Sequence, residues 1–161
     1  MAVFDPFDAF ATACPNGVLI GLDFGEKTIG VAVSDILRTV ATPRETIKRK
    51  KFGLDADQLD RIIAETSAVG LIIGLPLNMD GSEGPRCQKS RAFARNLSGR
   101  IDLPIGFWDE RLSTVAAERA MLEADMSRAK RAEAIDHVAA GYILQGALDR
   151  LEVLLRRGTN R

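Results

Sequence analysis

Two short apolar runs constrain the fold of this chain more than any other feature. They occupy residues 17–23 (GVLIGLD) and 69–74 (VGLIIG), and neither contains a polar side chain before its last residues. Runs of this length and continuity are typical of strands that a parallel sheet buries on both faces. Amphipathic patterns with helical spacing follow each of them, so helices are expected to cover the sheet. The sequence therefore predicts an α/β domain.

The remaining elements predict a mixed sheet of five strands. A turn follows the first apolar run, and further strands are expected at residues 28–34, about 43–48 and 103–107. Helices are expected from residue 53, from Pro85, from Ser113 to about 123 and from about 127 to 156. Three consecutive strands before alternating helices and strands indicate a three-strand antiparallel meander that continues into parallel strands, flanked by helices.

The length of 161 residues suits one domain with one sizeable core. We expect a weakly structured N-terminal extension at residues 1–16, the domain at 17–157 and a tail at 158–161. No apolar run approaches the roughly 20 residues that cross a bilayer, and the N-terminus lacks a signal-peptide pattern. Cys14 and Cys87 form neither a metal spacing nor a disulfide framework, which favours a reducing cytoplasm and no membrane partner.

The net charge does not indicate a nucleic-acid partner, because 22 basic residues balance 22 acidic ones. Phosphate is met by a local patch, however, and residues 84–100 carry several cations and no acid. An ordinary solvated helix face explains this segment equally well. The basic run at 48–51 (KRKK) is interpreted as a solvated turn.

Acidic residues follow two of the predicted strands. Asp23 ends the first buried run, and the pair Asp109-Glu110 follows the strand at 103–107. Parallel strands bring their carboxyl ends to one sheet edge, where loops usually build the site. Asp136 lies at the border of the apolar stripe of the last helix, among alanines that allow close approach to the sheet. Taken singly, these acids also suit a turn cap, a solvated strand end and an amphipathic boundary.

Converging carboxylates repel one another unless a multivalent cation compensates them. Oxygen ligands without a Cys or His cluster favour Mg²⁺ or Mn²⁺ over zinc. His137, the only histidine, is interpreted as a surface residue, so the hydrolytic triads have little support. We expect a metal-activated water as nucleophile, with two cations roughly 3.5–4 Å apart as the expected arrangement.

Substrate contacts are expected around the loop at residues 74–82 (GLPLNMDGS), which contains Asn78 and leads into a helix. The free N–H groups of a helix N-terminus attract phosphate, although a plain turn explains the same composition. Cations near this loop and near the acids complete the predicted nucleic-acid contacts, which are Asn78, Arg86, Lys89, Arg111, Lys130 and Arg131.

Four stretches, in this order, resemble the YqgF family of pre-16S rRNA nucleases and Holliday junction resolvase homologues. They are residues 21–35 (GLDFGEKTIGVAVSD), 74–84 (GLPLNMDGSEG), 109–114 (DERLST) and 136–140 (DHVAA). Together they span most of residues 17–150, and the set is highly specific. The segment before Gly17 has no counterpart in this pattern, and Ser113-Thr114 stands where two threonines are common.

The resemblance implies a ribonuclease H-like fold and a metal-dependent endonuclease that processes the 5′ end of pre-16S ribosomal RNA. It also implies that Asp23, Glu110 and Asp136 are the catalytic and metal-binding acids. The expected partner is precursor ribosomal RNA, and the protein is expected to be a monomer or a homodimer.

Three other functions remain open at this point. A resolvase of branched DNA would use the same acids but would need a symmetric dimer to cut two strands. A catalytically silent nucleic-acid-binding module would not need the acids, all of which are present. An ATP-handling domain, suggested by residues 23–28 (DFGEKT), would need a second lobe for which this chain leaves little room.

Overall fold

A computed structural model describes residues 3–4, 7–112 and 128–159, with the side chains of the last helix described for 137–155. The strands are β1 (Val3–Phe4), β2 (Leu19–Phe24), β3 (Thr28–Ser34), β4 (Ala41–Lys48), β5 (Gly70–Leu75) and β6 (Ile105–Asp109). The helices are α1 (Phe7–Ala13), α2 (Phe52–Thr66), α3 (Pro85–Ser98) and α4 (Arg128–Thr159), besides a 3₁₀ turn at Glu110–Leu112. The helix expected from Ser113 lies outside the described residues.

The strands form one mixed sheet in the order β1-β6-β5-β2-β3-β4. β2, β3 and β4 make an antiparallel meander, while β5 pairs parallel with β2 and β6 parallel with β5. The predicted succession of meander and parallel strands is confirmed. The expected number of five strands is wrong, because β1 adds a sixth strand parallel to β6.

The two apolar runs form the centre of the sheet, as their continuous hydrophobicity requires. Every residue of β5 is buried, and so is all of β2 except Phe24. Alternate residues of β2 pack into different layers: Leu22 lies under α2 and α3, whereas Leu19 lies with α1 and α4. The sheet is thus covered by helices on both faces.

Helix α4 approaches the sheet very closely at β2. A Cβ atom added to Gly21 would lie 2.6 Å from Cβ of Leu144 and 3.1 Å from the carbonyl oxygen of Ala140. Ala139 and Ala140 are buried at this interface. The predicted close approach, made possible by small residues on the helix, is confirmed, and the sheet contributes a glycine of its own.

The described residues of the N-terminal extension, 3–4 and 7–16, contain a strand and a helix that pack onto the sheet, so for them the expectation of weak structure is wrong. Phe10 of α1 is fully buried, and its ring fills the space beside Gly106 where a side chain on β6 would stand. Nε of Arg38 donates to the carbonyl oxygen of Gly17 at 2.7 Å and so fixes the end of the extension. At the other end, α4 continues to Thr159, beyond the expected boundary at 157.

No helix in the described part of the chain has the length and hydropathy needed to cross a membrane.

Candidate active site

Asp23 lies near the carboxyl end of β2 on the face covered by α4. Its position alternates with Gly21, which contacts α4, and only 5% of Asp23 is exposed. The register that pairs Leu22 with Ile73 brings Gly74 of β5 beside Asp23. A carboxylate buried this deeply at a strand end requires donors or a cation to offset its desolvation.

Glu110 begins the 3₁₀ turn that follows β6, and it is half-buried. Its Cγ atom lies 3.2 Å from the position that a Cβ on Gly74 would occupy. Glu110 therefore flanks Gly74 from one side, while Asp23 lies beside it on the neighbouring strand. We call Asp23 and Glu110 the acidic pair. The lack of a side chain at Gly74 leaves room for the Ile143 side chain of α4 and for Glu110.

The direction of α4 can be read from its contacts with β4. Gln145 accepts a hydrogen bond from the Ala41 amide at 2.9 Å, and His137 Nδ1 lies 3.0 Å from Thr46 Oγ1. Higher residue numbers on α4 thus meet lower ones on β4, so the helix is antiparallel to β4. Because β4 and β2 run in the same direction, the start of α4 lies toward the carboxyl end of β2.

The backbone of Asp136 lies at the level of the acidic pair. Thr46 pairs with Gly30, and Gly30 pairs with Asp23, so these residues form one row across the sheet. His137 contacts this row through Thr46, and Asp136 directly precedes His137. The side chain of Asp136 lies outside the described residues. His137 is half-buried and hydrogen-bonded, which corrects its interpretation as a surface residue.

The described side chains contain no cluster of three acidic, histidine or cysteine residues that could hold a metal ion. Asp23 and Glu110 belong to these side chains, whereas the third expected ligand, Asp136, does not. The donor oxygens of the acidic pair suit a hard cation such as Mg²⁺.

Asp109 differs from its neighbour Glu110, because Arg111 engages it. The Arg111 guanidinium donates to both carboxylate oxygens of Asp109, from Nη2 to Oδ2 at 2.7 Å and from Nε to Oδ1 at 3.1 Å, and the Arg111 backbone amide donates to Oδ1 at 2.9 Å. Burial would raise the pKa of Asp109, but these hydrogen bonds and the Arg111 charge lower it below its usual value. Asp109 is therefore used to orient Arg111, which also donates to the Met79 carbonyl oxygen.

The loop at residues 76–84, which we call the Asn78 loop, is held by its own hydrogen bonds. The Asn78 amide donates to the Ser82 carbonyl at 3.0 Å, and its side chain donates to the Ser82 hydroxyl at 3.0 Å. Asp80 accepts from both the amide and the hydroxyl of Ser82. Gly81 adopts a φ of 89°, which favours glycine. The structure thus gives Asn78 a part in shaping the loop.

The cations predicted to bind nucleic acid fall into three groups. Arg86 and Lys89 are exposed at the start of α3 and make no ion pair with any described side chain. Arg111 is engaged by Asp109 at the strand end. The side chains of Lys130 and Arg131, early in α4, lie outside the described residues.

Arg49 is a residue whose position the sequence interpretation missed. It was expected in a solvated turn, yet Nη1 donates to the carbonyl oxygens of Gly25 and Glu26 at 2.7 and 2.8 Å. Its guanidinium also lies over the ring of Phe24, 4.3 Å from the centroid. Within the basic run nothing distinguishes Arg49 from its neighbours. Only the pairing of β3 with β4, which ends at Thr28 and Lys48, brings it against the β2–β3 turn.

Comparison with known proteins agrees with this architecture. A protein of a Ruegeria species is 70% identical over 92% of this chain and 96% of its own length. One from Rhodobacter capsulatus is 67% identical over 92% of this chain and 94% of its own. Both are named as candidate pre-16S rRNA nucleases.

Solved structures with low sequence identity share the fold. RuvC of Thermus thermophilus, in complex with a Holliday junction substrate, has a TM-score of 0.53 and 13% identity, covering 89% of this chain and 97% of its own. The yeast mitochondrial Holliday junction resolvase has a TM-score of 0.51 and 9% identity, covering 96% and 87%. The predicted ribonuclease H-like fold is confirmed by this likeness.

The predicted class of enzyme, a nuclease that hydrolyses phosphodiester bonds, is also confirmed. The family model described as "RuvX: Holliday junction resolvase" matches residues 17–150, which contain all four stretches that resemble YqgF. The chain therefore belongs to the RuvX family, which is the same family as the YqgF family that the four stretches resemble.

Proposed function

We propose that this protein is a metal-dependent endonuclease whose catalytic residues are Asp23, Glu110 and Asp136. One observation carries the proposal. A carboxylate at the end of β2 and one in the turn after β6 flank Gly74, on the face where α4 brings the Asp136 backbone to the same level. Acids collected in this way from three distant segments cost free energy without a cation to compensate them.

The acidic pair fits a divalent cation by its chemistry. It offers carboxylate oxygens only, and Asp23 is buried beside Gly74 at the end of β2. Asp23, Glu110 and Asp136 would hold Mg²⁺ or Mn²⁺, in one or two sites. A bound cation supplies Lewis acidity to the scissile phosphate and stabilises its attacking and leaving oxygens.

The surrounding residues are suited to position the phosphate backbone. The Asn78 loop is preordered by its internal hydrogen bonds, and Arg111 links it to the end of β6. Arg86 and Lys89 offer charge at the start of α3, where helix N–H groups also favour an anion. We propose that Asn78, Arg86, Lys89, Arg111, Lys130 and Arg131 contact nucleic acid.

We propose the 5′ end of precursor 16S ribosomal RNA as the substrate, because the Ruegeria and Rhodobacter capsulatus relatives are named for that RNA, and we propose the cytoplasm as the location. The family description and the Thermus thermophilus complex favour a second candidate, the Holliday junction. A resolvase cuts two strands symmetrically and needs a dimer, whereas an RNA processing enzyme can act as a monomer.

A cleavage assay in Mn²⁺ separates the two functions. Unstructured single-stranded RNA, a precursor 16S end and a four-way DNA junction are compared at equal concentration, with the oligomeric state measured in parallel. We expect the precursor to be cut at a defined position and the junction to remain intact. Symmetric cleavage of the junction by a dimer, with the RNA left intact, would instead establish the resolvase.

Metal removal tests the mechanism itself. Activity should vanish with EDTA and return with Mg²⁺ or Mn²⁺, because the proposed ligands are carboxylates. Ca²⁺ should bind but support little turnover, since its looser geometry positions the reacting groups poorly. Full activity after exhaustive dialysis against EDTA would contradict the proposed cation.

A further inference from the structure

A second concave site lies on the opposite face of the sheet from the acidic pair. It is a cavity of about 440 Å³ between the β2–β3 turn, the start of α2 and one side of α3 from Lys89 to Asn96. This volume is within the range of small-ligand sites. We call it the basic pocket, and its main lining residues are Phe24, Phe52, Phe93, Arg49, Lys50 and Lys89.

Aromatic rings form one wall of the basic pocket. Phe24 and Phe93 stack with centroids 4.2 Å apart, and Phe52 meets Phe93 edge to face at 6.1 Å. Phe24 and Phe52 are half-buried, so part of each ring faces outward. The guanidinium of Arg49 lies against Phe24 and itself lines the cavity. Aromatic rings and arginine planes are the surfaces on which unpaired bases stack.

The cations at the basic pocket are not engaged by acids. Lys50 and Lys89 make no ion pair with any described side chain, and Nε of Arg49 is buried without a hydrogen-bond partner among the described residues. Two acids also line the cavity, Glu26 and Asp55. Asp55 is buried and accepts a hydrogen bond from the Lys50 backbone amide at 2.9 Å, so its carboxylate holds the start of α2 in place.

The pocket extends along the β2–β3 turn, which follows the end of β2 that carries Asp23. A small niche lined by Gly25 and Arg86 adjoins it at the β2–β3 turn. Phe24, on the pocket side, directly follows Asp23 on the other side of the same strand. A nucleic-acid strand that places one phosphate at the acidic pair can therefore reach the basic pocket by passing over the β2–β3 turn.

We propose that the basic pocket binds one unpaired nucleotide of the substrate strand, adjacent to the phosphodiester that is cut. Its phosphate is held by Lys89 and Arg86, and its base lies against Arg49 and Phe52. This inference rests on the proposed nuclease function, and it adds a specificity: the enzyme requires a single-stranded nucleotide beside the cleavage site. A base held in a duplex cannot enter the cavity.

The first test compares two charge reversals on α3 in EDTA, so that binding is measured without cleavage. Lys89→Glu lies in the pocket, whereas Arg95→Glu changes the net charge equally on an exposed position outside it. Fluorescence anisotropy with a short single-stranded RNA should show binding weakened about tenfold or more by Lys89→Glu. In Lys89→Glu, the slope of log affinity against log salt concentration should also become shallower by about 0.7, the value for one phosphate contact. Arg95→Glu should stay near the wild type, and equal effects of the two variants would overturn the proposal.

The second test fills the cavity without changing charge. Ala92 lines the pocket and is half-buried, so Ala92→Phe occupies the space of the base. Ala64→Phe, on an exposed position of α2, is the matched control. Ala92→Phe should weaken single-strand binding about tenfold, in keeping with the loss of one stacked base, and leave binding of a blunt duplex unchanged. Unchanged single-strand binding by a folded Ala92→Phe protein would overturn the pocket.

Failure of the basic pocket can be distinguished from failure of the proposed nuclease function. If Asp23→Asn abolishes cleavage while Lys89→Glu and Arg95→Glu bind alike, the nuclease stands and the pocket fails. If the wild type cuts nothing but Lys89→Glu and Ala92→Phe lose single-strand binding, the pocket stands and the nuclease fails. Should Ala92→Phe not fold, the two charge reversals still decide.

Discussion

Asp23 and Phe24 are neighbours in β2, yet they belong to chemically opposite surfaces. Asp23 faces α4 and forms the acidic pair with Glu110, whereas Phe24 faces α3 and supports the cation Arg49. Both surfaces lie at the same edge of the sheet. Because successive residues of a strand point to opposite faces, one step along the chain separates a cation-attracting surface from an anion-attracting one.

This separation explains how a chain with zero net charge can still offer a surface that binds a polyanion. The 22 basic and 22 acidic residues do not mix evenly over the surface. Arginines on and near α2 form ion pairs with acids. Arg61 pairs with Glu45 and Glu65, and Arg100 pairs with Asp60 at 3.0 Å. Exposed pairs of this kind contribute little to stability, but they neutralise the surface they cover. The basic pocket carries cations that no described acid engages.

The largest expected effect comes from neutralising the acidic surface at its buried member. Asp23→Asn keeps the side-chain shape and removes a charge, so cleavage in Mn²⁺ should fall by at least about 10³-fold, as when one member of a catalytic set is lost. Repulsion within the acidic set should also make the metal-free variant slightly more stable than the wild type. Mg²⁺ should raise the melting temperature of the wild type more than that of the variant.

Asp102→Asn is the matched control for Asp23→Asn, because Asp102 is exposed and precedes β6 at the opposite edge of the sheet. It should leave cleavage intact. An active Asp23→Asn enzyme would refute the assignment of the site. Asp136→Asn should behave as Asp23→Asn does, and this variant tests the member whose side chain the structure does not describe.

A finer comparison is between Asp109 and Glu110, consecutive acids with different partners. Glu110→Gln should lower cleavage by about 10²-fold or more, because it removes a proposed metal ligand beside Gly74. Asp109→Asn should retain activity within a few-fold, since Asp109 serves to orient Arg111. Steady-state cleavage by both variants decides the matter, and the reverse order of the two effects would assign the ligand to Asp109.

The close approach of α4 gives the acidic face its geometry and can be loosened separately. Gly21→Ala should cost about 1–3 kcal/mol in the free energy of unfolding, because the new Cβ meets Leu144 and the Ala140 carbonyl. Mg²⁺ affinity should weaken as α4 is displaced from the acidic pair. Gly53→Ala has open space and lies in α2, so it should be neutral or stabilise by up to about 1 kcal/mol. Denaturant unfolding and metal titration measure both effects, and full metal affinity in Gly21→Ala would show that α4 does not shape the site.

The sequence was sufficient to predict the structure where a hydrophobic pattern was continuous. The apolar runs that became β2 and β5 are buried over nearly their whole length, so the centre of the sheet could be predicted from hydrophobicity alone. An acid at the end of such a run, Asp23, stands out because burying it is costly. The amphipathic stripe of α4 was visible for the same reason, and so was its close packing.

The sequence was insufficient where a role depends on a distant partner. β1 has two residues, too few for any periodicity, and it exists only because β6 offers an unpaired edge. Phe10 became part of the core because Gly106 leaves space for its ring. Arg49 looked like its lysine neighbours until strand pairing brought it to Phe24. The described part of residues 1–16 and the position of Arg49 were misjudged for this reason.

The smallest expected effect concerns the ion pair that distinguishes Asp109 from the proposed catalytic acids. The folded state lowers the pKa of Asp109, so the pair stabilises the protein above the ordinary aspartate pKa of about 3.9, and this contribution is lost as the pH falls through the lower folded value. Because both side chains are partly exposed, at 19% for Asp109 and 31% for Arg111, solvent screening should keep this contribution small at neutral pH. Denaturant unfolding of the wild type and Asp109→Asn should show this difference at pH 7, and the difference should shrink toward zero in strong acid. A difference that stays constant across this range would mean that Asp109 acts through its shape and hydrogen bonds alone, with no contribution from its charge.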